Sequence, residues 1–166
     1  MAIFVVSVKT CAVQLRPTKD NYFSTDKQGT GQKGTEHFNR LQALVSTLST
    51  GPVFPSDAIG ASDAALILRS CDAAGRLLRP DRAATSMDAN ILDKALAMGT
   101  GKADPGELES TTATAAGVTS HIVLAANTSV AYTVSAAELV GPGYLASGEA
   151  GGHNSPRTPL TFNLDV

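Results

Sequence analysis

The stretch Thr47-Leu-Ser-Thr-Gly-Pro-Val-Phe-Pro-Ser-Asp-Ala-Ile-Gly60 indicates most about the fold of this 166-residue chain. It contains the end of a helix, a short apolar extended segment and, directly after that segment, the acidic residue Asp57. After Asp57, and still within residues 46–88, the sequence continues with a glycine, a second helix and another short extended segment. Because α/β enzymes carry working carboxylates at the carboxyl ends of parallel strands, this order predicts β/α units and makes Asp57 a candidate functional residue.

Amphipathic segments predict three helices around this stretch. A second helix begins at Ser62-Asp63, and residues 88–98 predict a third. Gly51-Pro52 ends the first helix, since glycine and proline commonly follow a helix C-terminus. The first helix covers residues 35–49, where apolar side chains recur at spacings of three and four, at Phe38, Leu41, Leu44, Val45 and Leu48.

The segments before and between these helices predict short strands and one long loop. Residues 3–15 are rich in β-branched side chains, which is typical of a strand buried on both faces. Residues 53–54 and 77–78 predict very short strands. Residues 18–34 form a polar loop of a length that is often functional, and it holds two aromatic residues, Tyr22 and Phe23, in a chain with only 5% aromatics.

The second half of the chain has a different amino-acid pattern from the first half. After the break at residues 99–106, short β-prone segments recur at intervals of about 8–12 residues, as in an all-β sandwich. They cover residues 108–115, 118–125, 130–134, 144–147 and 160–164. We therefore predict an α+β fold with two domains. Residues 1–100 hold incomplete β/α-barrel-like units, and residues 104–166 form a small antiparallel β-sandwich-like domain.

Composition excludes several classes of function. Charged residues make up 17% of the chain, below the usual share of about 25%, which suggests a surface covered by more protein or rich in small polar residues. The net charge of −2 gives no electrostatic case for a nucleic-acid partner or an anionic membrane. No apolar run reaches the ~18 residues of a membrane span. No cysteine or histidine pair has metal-ligand spacing, so we expect no metal and no cofactor.

The run Gly51–Gly60, the helix after it, then Gly75-Arg-Leu-Leu-Arg-Pro80 and Asp88 resemble a known family. They are similar to the closing part of the raffinose synthase and alkaline α-galactosidase group of glycoside hydrolases. One departure is that Ala74 stands where that pattern has an aspartate before the glycine. The resemblance covers roughly residues 20–88, and it implies a β/α barrel followed by an antiparallel β domain.

The resemblance implies roles for two acids of the loop. Asp20 best matches the general acid/base carboxylate of that family, and Asp26 is its rival. Nothing in this sequence resembles the strand that carries the family's nucleophile. A chain of 166 residues is also shorter than the roughly 200 that a complete barrel needs. The resemblance thus implies a fragment of a larger enzyme, inactive alone, whose partners are a carbohydrate substrate or the missing N-terminal half of the barrel.

The residues themselves leave alternatives open. Glycoside hydrolysis needs two carboxyl groups across one bond, and in the first half only Asp20, Asp26 and Asp57 lie in loops beside predicted strand ends. The two loop acids are equally compatible with solvated surface residues. Asp57 lines a sugar pocket or turns the chain by bonding nearby backbone. Tyr22 and Phe23 either stack on a sugar or anchor the loop in the core.

A second hypothesis makes the chain a non-catalytic module whose β region binds glycan or packs on a partner protein. The two hypotheses predict different geometry. In the hydrolase hypothesis Asp20 or Asp26 lies at the same rim as Asp57. In the module hypothesis these acids point apart, and a concave site lies in the second half of the chain.

Overall fold

The computed structural model describes residues 16–28, 36–97, 105–135, 138–139 and 160–161. The strands predicted at residues 3–15 and 144–147 lie outside these ranges. In chain order the elements are α1 (Asn39–Leu48), α2 (Ala64–Ile67), a 3-10 helix (Leu68–Ser70), β1 (Thr85–Ser86), α3 (Asp88–Ala97), β2 (Glu107–Ala115), β3 (Val118–Ala126), β4 (Thr133–Val134) and β5 (Leu160–Thr161).

The fold of the described residues is mixed α and β, with three α-helices and a three-stranded antiparallel sheet of order β1-β2-β3. Strands β4 and β5 form a separate antiparallel pair, in which Thr133 lies opposite Thr161 and Val134 opposite Leu160. The predicted mixture of helices and antiparallel strands is therefore confirmed at this level.

The described residues divide into two compact units. The first comprises the described part of Met1–Thr85 together with Thr111–Ile122, and the second comprises the described part of Ser86–Ser110 and Val123–Val166. Residues 98–104, where the sequence predicts a domain boundary, lie outside the described ranges. The boundary between residues 100 and 104 thus stays a prediction.

Helix α1 confirms a helix within the predicted residues 35–49, but it begins only at Asn39, and Phe38, which was predicted on its apolar face, precedes it and is exposed. The end of α1 is fixed by a close approach of two parts of the chain. Ala43, Val45 and Leu48 are buried, whereas Leu44 is exposed. Gly51 follows the helix at a point where a Cβ atom would collide with the backbone oxygen of Pro17. Only glycine fits such an approach without moving the backbone, so this glycine has a packing reason beyond ending the helix.

The second predicted helix is shorter than its pattern suggested. Asp63 caps α2 at the expected place, because its Oδ1 accepts a hydrogen bond from the Leu66 backbone N–H at 3.1 Å. The helix then tightens into the 3-10 turn. The strand predicted at residues 77–78 is a single bridge between Cys71 and Leu77, and the intervening turn is held by Asp72, which accepts from Arg76.

Each unit has its own small core. In the first unit Tyr22, Ala43 and Leu66 are packed together with Val53. In the second unit the buried side chains are Met87, Leu108 and Val134, with Val123, Ala125, Tyr132 and Leu139 partly buried against them. Both cores join elements that are far apart in sequence, which gives each unit long-range packing.

Candidate functional site

The loop that carries the predicted acids lies against the stretch before Asp57. Tyr22 and Pro55 form an isolated parallel bridge. The Tyr22 backbone N–H donates to the Phe54 carbonyl at 3.2 Å, and the Ser56 N–H donates to the Tyr22 carbonyl at 2.9 Å. The short strand predicted at residues 53–54 is therefore reduced to this one bridge, and it positions residues 24–28 beside Asp57.

The carboxylate of Asp57 holds this loop in place. Its Oδ1 accepts from the Ser24 backbone N–H at 2.7 Å and from Gln28 Nε2 at 2.8 Å, and its Oδ2 accepts from Ser24 Oγ at 2.5 Å. Gln28 Oε1 in turn accepts from the Ala58 N–H at 2.8 Å. Asp57 thus bonds a loop about thirty residues earlier in the chain rather than its own neighbouring backbone.

The same network reaches the start of α2. Ser24, which is 2% exposed, accepts a hydrogen bond on Oγ from the Asp63 N–H at 2.8 Å. Within the loop, Thr25 Oγ1 accepts from the Lys27 N–H, and Gln28 Nε2 also donates to the Thr25 carbonyl. These bonds fix the loop before any ligand arrives, which lowers the entropic cost of binding. We call residues 24–28 the clamped loop.

A polar cavity of about 360 Å³ opens beside the clamped loop. This volume lies within the roughly 300–1,000 Å³ of small-molecule sites. Such sites are mostly apolar, whereas this one is lined mainly by charged and hydrogen-bonding groups, which suits a ligand rich in hydroxyl groups. Its lining residues are Ser24, Thr25, Asp26, Lys27, Asn39, Arg40, Asp63, Ala65, Leu66 and Arg69.

A second, more open hollow of about 510 Å³ shares part of this lining. Thr25, Lys27 and Asp63 line both spaces, and residues 58–62 complete the second one. The shared residues belong to the clamped loop and to the cap of α2.

The predicted acids take different positions around this cavity. Asp26 is exposed and lines it. Asp57 is not among the lining residues, and its carboxylate accepts hydrogen bonds from Ser24 and Gln28. Asp20 is exposed, accepts the Asn21 backbone N–H at 2.8 Å and is not among the lining residues. The structure thus places Asp26 on the clamped loop and Asp57 in contact with that loop, whereas Asp20 lies outside it.

Of the two predicted aromatic residues, Tyr22 is packed inside the protein and Phe23 is half-buried. Tyr22 is only 2% exposed and belongs to the core of the first unit, so its ring offers no open face to a sugar. Burial, followed by the negative charge of Asp57, raises the pKa of the Tyr22 hydroxyl. Phe23 is half-buried, and its carbonyl accepts from Asn39 Nδ2 at 2.7 Å. The burial of Tyr22 supports the alternative in which this residue anchors the loop in the core.

Sequence reasoning named Asp26 but missed the other polar residues of the lining, which are Ser24, Thr25 and Lys27 in the loop and Asn39, Arg40, Asp63 and Arg69 outside it. The four outside the loop are the harder ones to find. They lie on α1, at the cap of α2 and in the 3-10 helix. Periodicity shows which face of a helix is polar, but it does not show which loop that face meets. The structure establishes that contact through the bonds from Asn39 to the Phe23 carbonyl and from the Asp63 N–H to Ser24 Oγ.

The second unit holds another group of ionisable side chains. Lys94 Nζ lies 2.6 Å from Glu107 Oε1, and Glu109 is buried, with 9% of its surface exposed. Burial, with a smaller contribution from the charge of Glu107, raises the pKa of Glu109 to about 7, and Lys94 opposes this shift. The sequence analysis did not identify these acids, although the alternation Glu107-Leu108-Glu109 within a predicted strand would have placed both on one face.

Among the described residues no group of three or more His, Cys, Asp or Glu side chains is arranged to hold a metal ion. Within the same residues, no helix has the length and apolar character needed to cross a membrane. Comparison of the chain with protein-family models, with curated proteins and with solved structures found no match.

Proposed function

We propose that this chain is part of a carbohydrate-active glycoside hydrolase of the α-galactosidase and raffinose synthase type, and that the cavity beside the clamped loop binds its sugar. The observation that carries the proposal is the network in which Asp57 and Ser24 hold Asp26 at a polar cavity. In the finer form of this proposal, residues 1–100 correspond to terminal β/α units of a barrel, and residues 104–166 form a small β-sandwich-like domain.

In this proposal Asp26 serves as the acid/base residue because it lines the cavity, and Asp57 positions the loop. Asp20, which the resemblance favours for the acid/base role, stays a prediction. Hydrolysis requires two carboxyl groups about 5 Å apart for retention or roughly 6.5–9.5 Å for inversion. In this proposal the nucleophile comes from another part of the enzyme, because no segment of this sequence resembles the strand that carries it. We therefore expect this chain to bind sugar without turning it over, with the missing barrel segment as its other partner.

The Asp26→Asn variant is expected to bind galactose and raffinose about tenfold more weakly than the wild type, because a charge-assisted hydrogen bond to a sugar hydroxyl is lost. Isothermal titration calorimetry measures the change. Asp20→Asn is the matched control, an exposed acid of the same segment outside the cavity lining. Loss of binding in Asp20→Asn with unchanged binding in Asp26→Asn would contradict our assignment and favour the role that the resemblance gives to Asp20.

The alternative proposal, a non-catalytic β module, has a separate test in the second unit. The core of this unit includes Met87, and the fully buried Asn90 donates to the Gly106 carbonyl at 2.9 Å. A segment of residues 104–166 contains neither Met87 nor Asn90. We expect a cooperative thermal transition, followed by circular dichroism, for residues 86–166 and none for residues 104–166. A cooperative transition in the shorter segment would support the independent module instead.

A further inference from the structure

We infer that Asn39 selects the sugar at this cavity by accepting, on its Oδ1, a hydrogen bond from one of the sugar's hydroxyl groups. This inference rests on the proposed function, since it names the residue that distinguishes one neutral sugar from another at the same site. Asn39 is half-buried, is the first residue of α1 and lines the cavity beside the clamped loop. A side chain on a helix is placed more precisely than one on a loop, so Asn39 is suited to this role.

The orientation of the Asn39 amide is fixed by the protein. Its Nδ2 donates to the Phe23 carbonyl at 2.7 Å. A carbonyl oxygen only accepts hydrogen bonds, so the amide nitrogen must face Phe23, and Oδ1 lies at the other end of the amide. Within the described part of the chain, Asn39 Oδ1 forms no hydrogen bond. Asn39 therefore offers an oriented acceptor to a ligand, and a sugar hydroxyl supplies the matching donor.

The Asp57 network holds the peptide group to which this carbonyl belongs. The Phe23 carbonyl and the Ser24 N–H are the two ends of one planar peptide group. The N–H donates to Asp57 Oδ1 at 2.7 Å, while the carbonyl accepts from Asn39. Rotation of this peptide group would break both bonds. The direction of Asn39 Oδ1 is thus set before a ligand binds, which lowers the entropic cost of binding.

The charges around the cavity favour selection by hydrogen bonds over selection by charge. Three cationic and two acidic side chains line the cavity, namely Lys27, Arg40, Arg69, Asp26 and Asp63. Asp57, which accepts hydrogen bonds from the clamped loop, adds a third acid and balances the formal charge. Discrimination among neutral sugars then depends on whether each hydroxyl finds its partner. A site that bonds a hydroxyl rejects an analogue without it, because the polar group of the site is left unpaired.

The test compares galactose with the series of monodeoxygalactoses by isothermal titration calorimetry of the full chain. We expect at least one monodeoxygalactose to bind the wild type about tenfold more weakly than galactose. The variant Asn39→Ala is expected to lose the preference for galactose over one such derivative, because the group that bonds the missing hydroxyl is gone. A purely structural role of Asn39 would instead weaken the binding of both sugars by the same factor and leave every preference in place.

Asn21→Ala is the matched control, an exposed asparagine of the first unit outside the cavity lining, and it is expected to keep every preference. Should Asn39→Ala fail to fold or to bind, nuclear magnetic resonance of the wild type replaces it. Saturating galactose is then expected to shift the side-chain amide resonances of Asn39, and one monodeoxygalactose to leave them in place.

Three results would overturn this inference and leave the proposed function standing. They are equal binding of galactose and all its monodeoxy derivatives, preferences retained in full by Asn39→Ala, and side-chain resonances of Asn39 that do not respond to bound galactose. The absence of binding by galactose and by every derivative would overturn both the inference and the proposed function.

Discussion

Replacing Asp57 with alanine is expected to lower the free energy of unfolding of the first unit by about 3 kcal/mol. The substitution removes an acceptor of three hydrogen bonds, two from Ser24 and one from Gln28. Ser24 is buried, so its backbone N–H loses its partner without gaining water, and an orphaned buried donor is costly. Urea unfolding at neutral pH measures the loss.

Two further variants make this result specific. Asp57→Asn keeps one oxygen for the Ser24 N–H and Gln28, so we expect a smaller loss than in Asp57→Ala. Asp20→Ala is the control, because that exposed acid bonds only the N–H of its neighbour, and surface changes of this kind usually stay within about 0.5 kcal/mol. Equal stability of Asp57→Ala and the wild type would show that the network does not hold the loop.

The Glu109→Gln variant is expected to be more stable than the wild type by about 3 kcal/mol at pH 8 and equally stable near pH 4.5. In the folded chain the pKa of Glu109 is raised from 4.5 to about 7. Folding therefore takes up a proton between these two pH values, and the stability of the wild type falls as pH rises through this window. Above pH 7 the buried carboxylate is charged and its full cost is present, whereas glutamine is neutral at every pH.

The comparison is made by urea unfolding between pH 4.5 and pH 8. At lower pH two other acids, Asp72 and Asp81, change the stability in the opposite direction. Hydrogen bonds lower the pKa of each of them, so the stability that they provide is lost as pH falls. Glu36→Gln, a half-buried glutamate of the first unit, is the matched control. Parallel pH profiles for Glu109→Gln and the wild type would contradict the raised pKa of this side chain.

Local patterns in the sequence predicted the elements that depend on local interactions. The spacing of apolar residues located α1 and α3, since an amphipathic helix is determined within a few turns. Ser135 and Glu138 have the spacing that is typical of a capping box, and in the structure each side chain accepts a hydrogen bond from the other's backbone N–H. The β-prone segments at residues 108–115 and 118–125 correspond closely to β2 and β3.

What the sequence did not show depends on contacts between distant residues. Asp57 was identified as important from its place after an extended segment, but its partners Ser24 and Gln28 lie 33 and 29 residues away. The burial of Tyr22 against Ala43 and Leu66 is equally non-local. Sequence pattern alone does not determine which of several polar loops crosses a given strand end, so the lining of the cavity was not predictable.

The most direct test of the central claim is a nuclear magnetic resonance titration of the full, isotope-labelled chain with galactose and raffinose. We predict that backbone amide shifts change at the clamped loop, at Asn39 and Arg40, and from Asp63 to Arg69, which together enclose the cavity. Shift changes confined to β2 and β3, or none at saturating sugar, would contradict the proposal that the cavity held by Asp57 is a saccharide site.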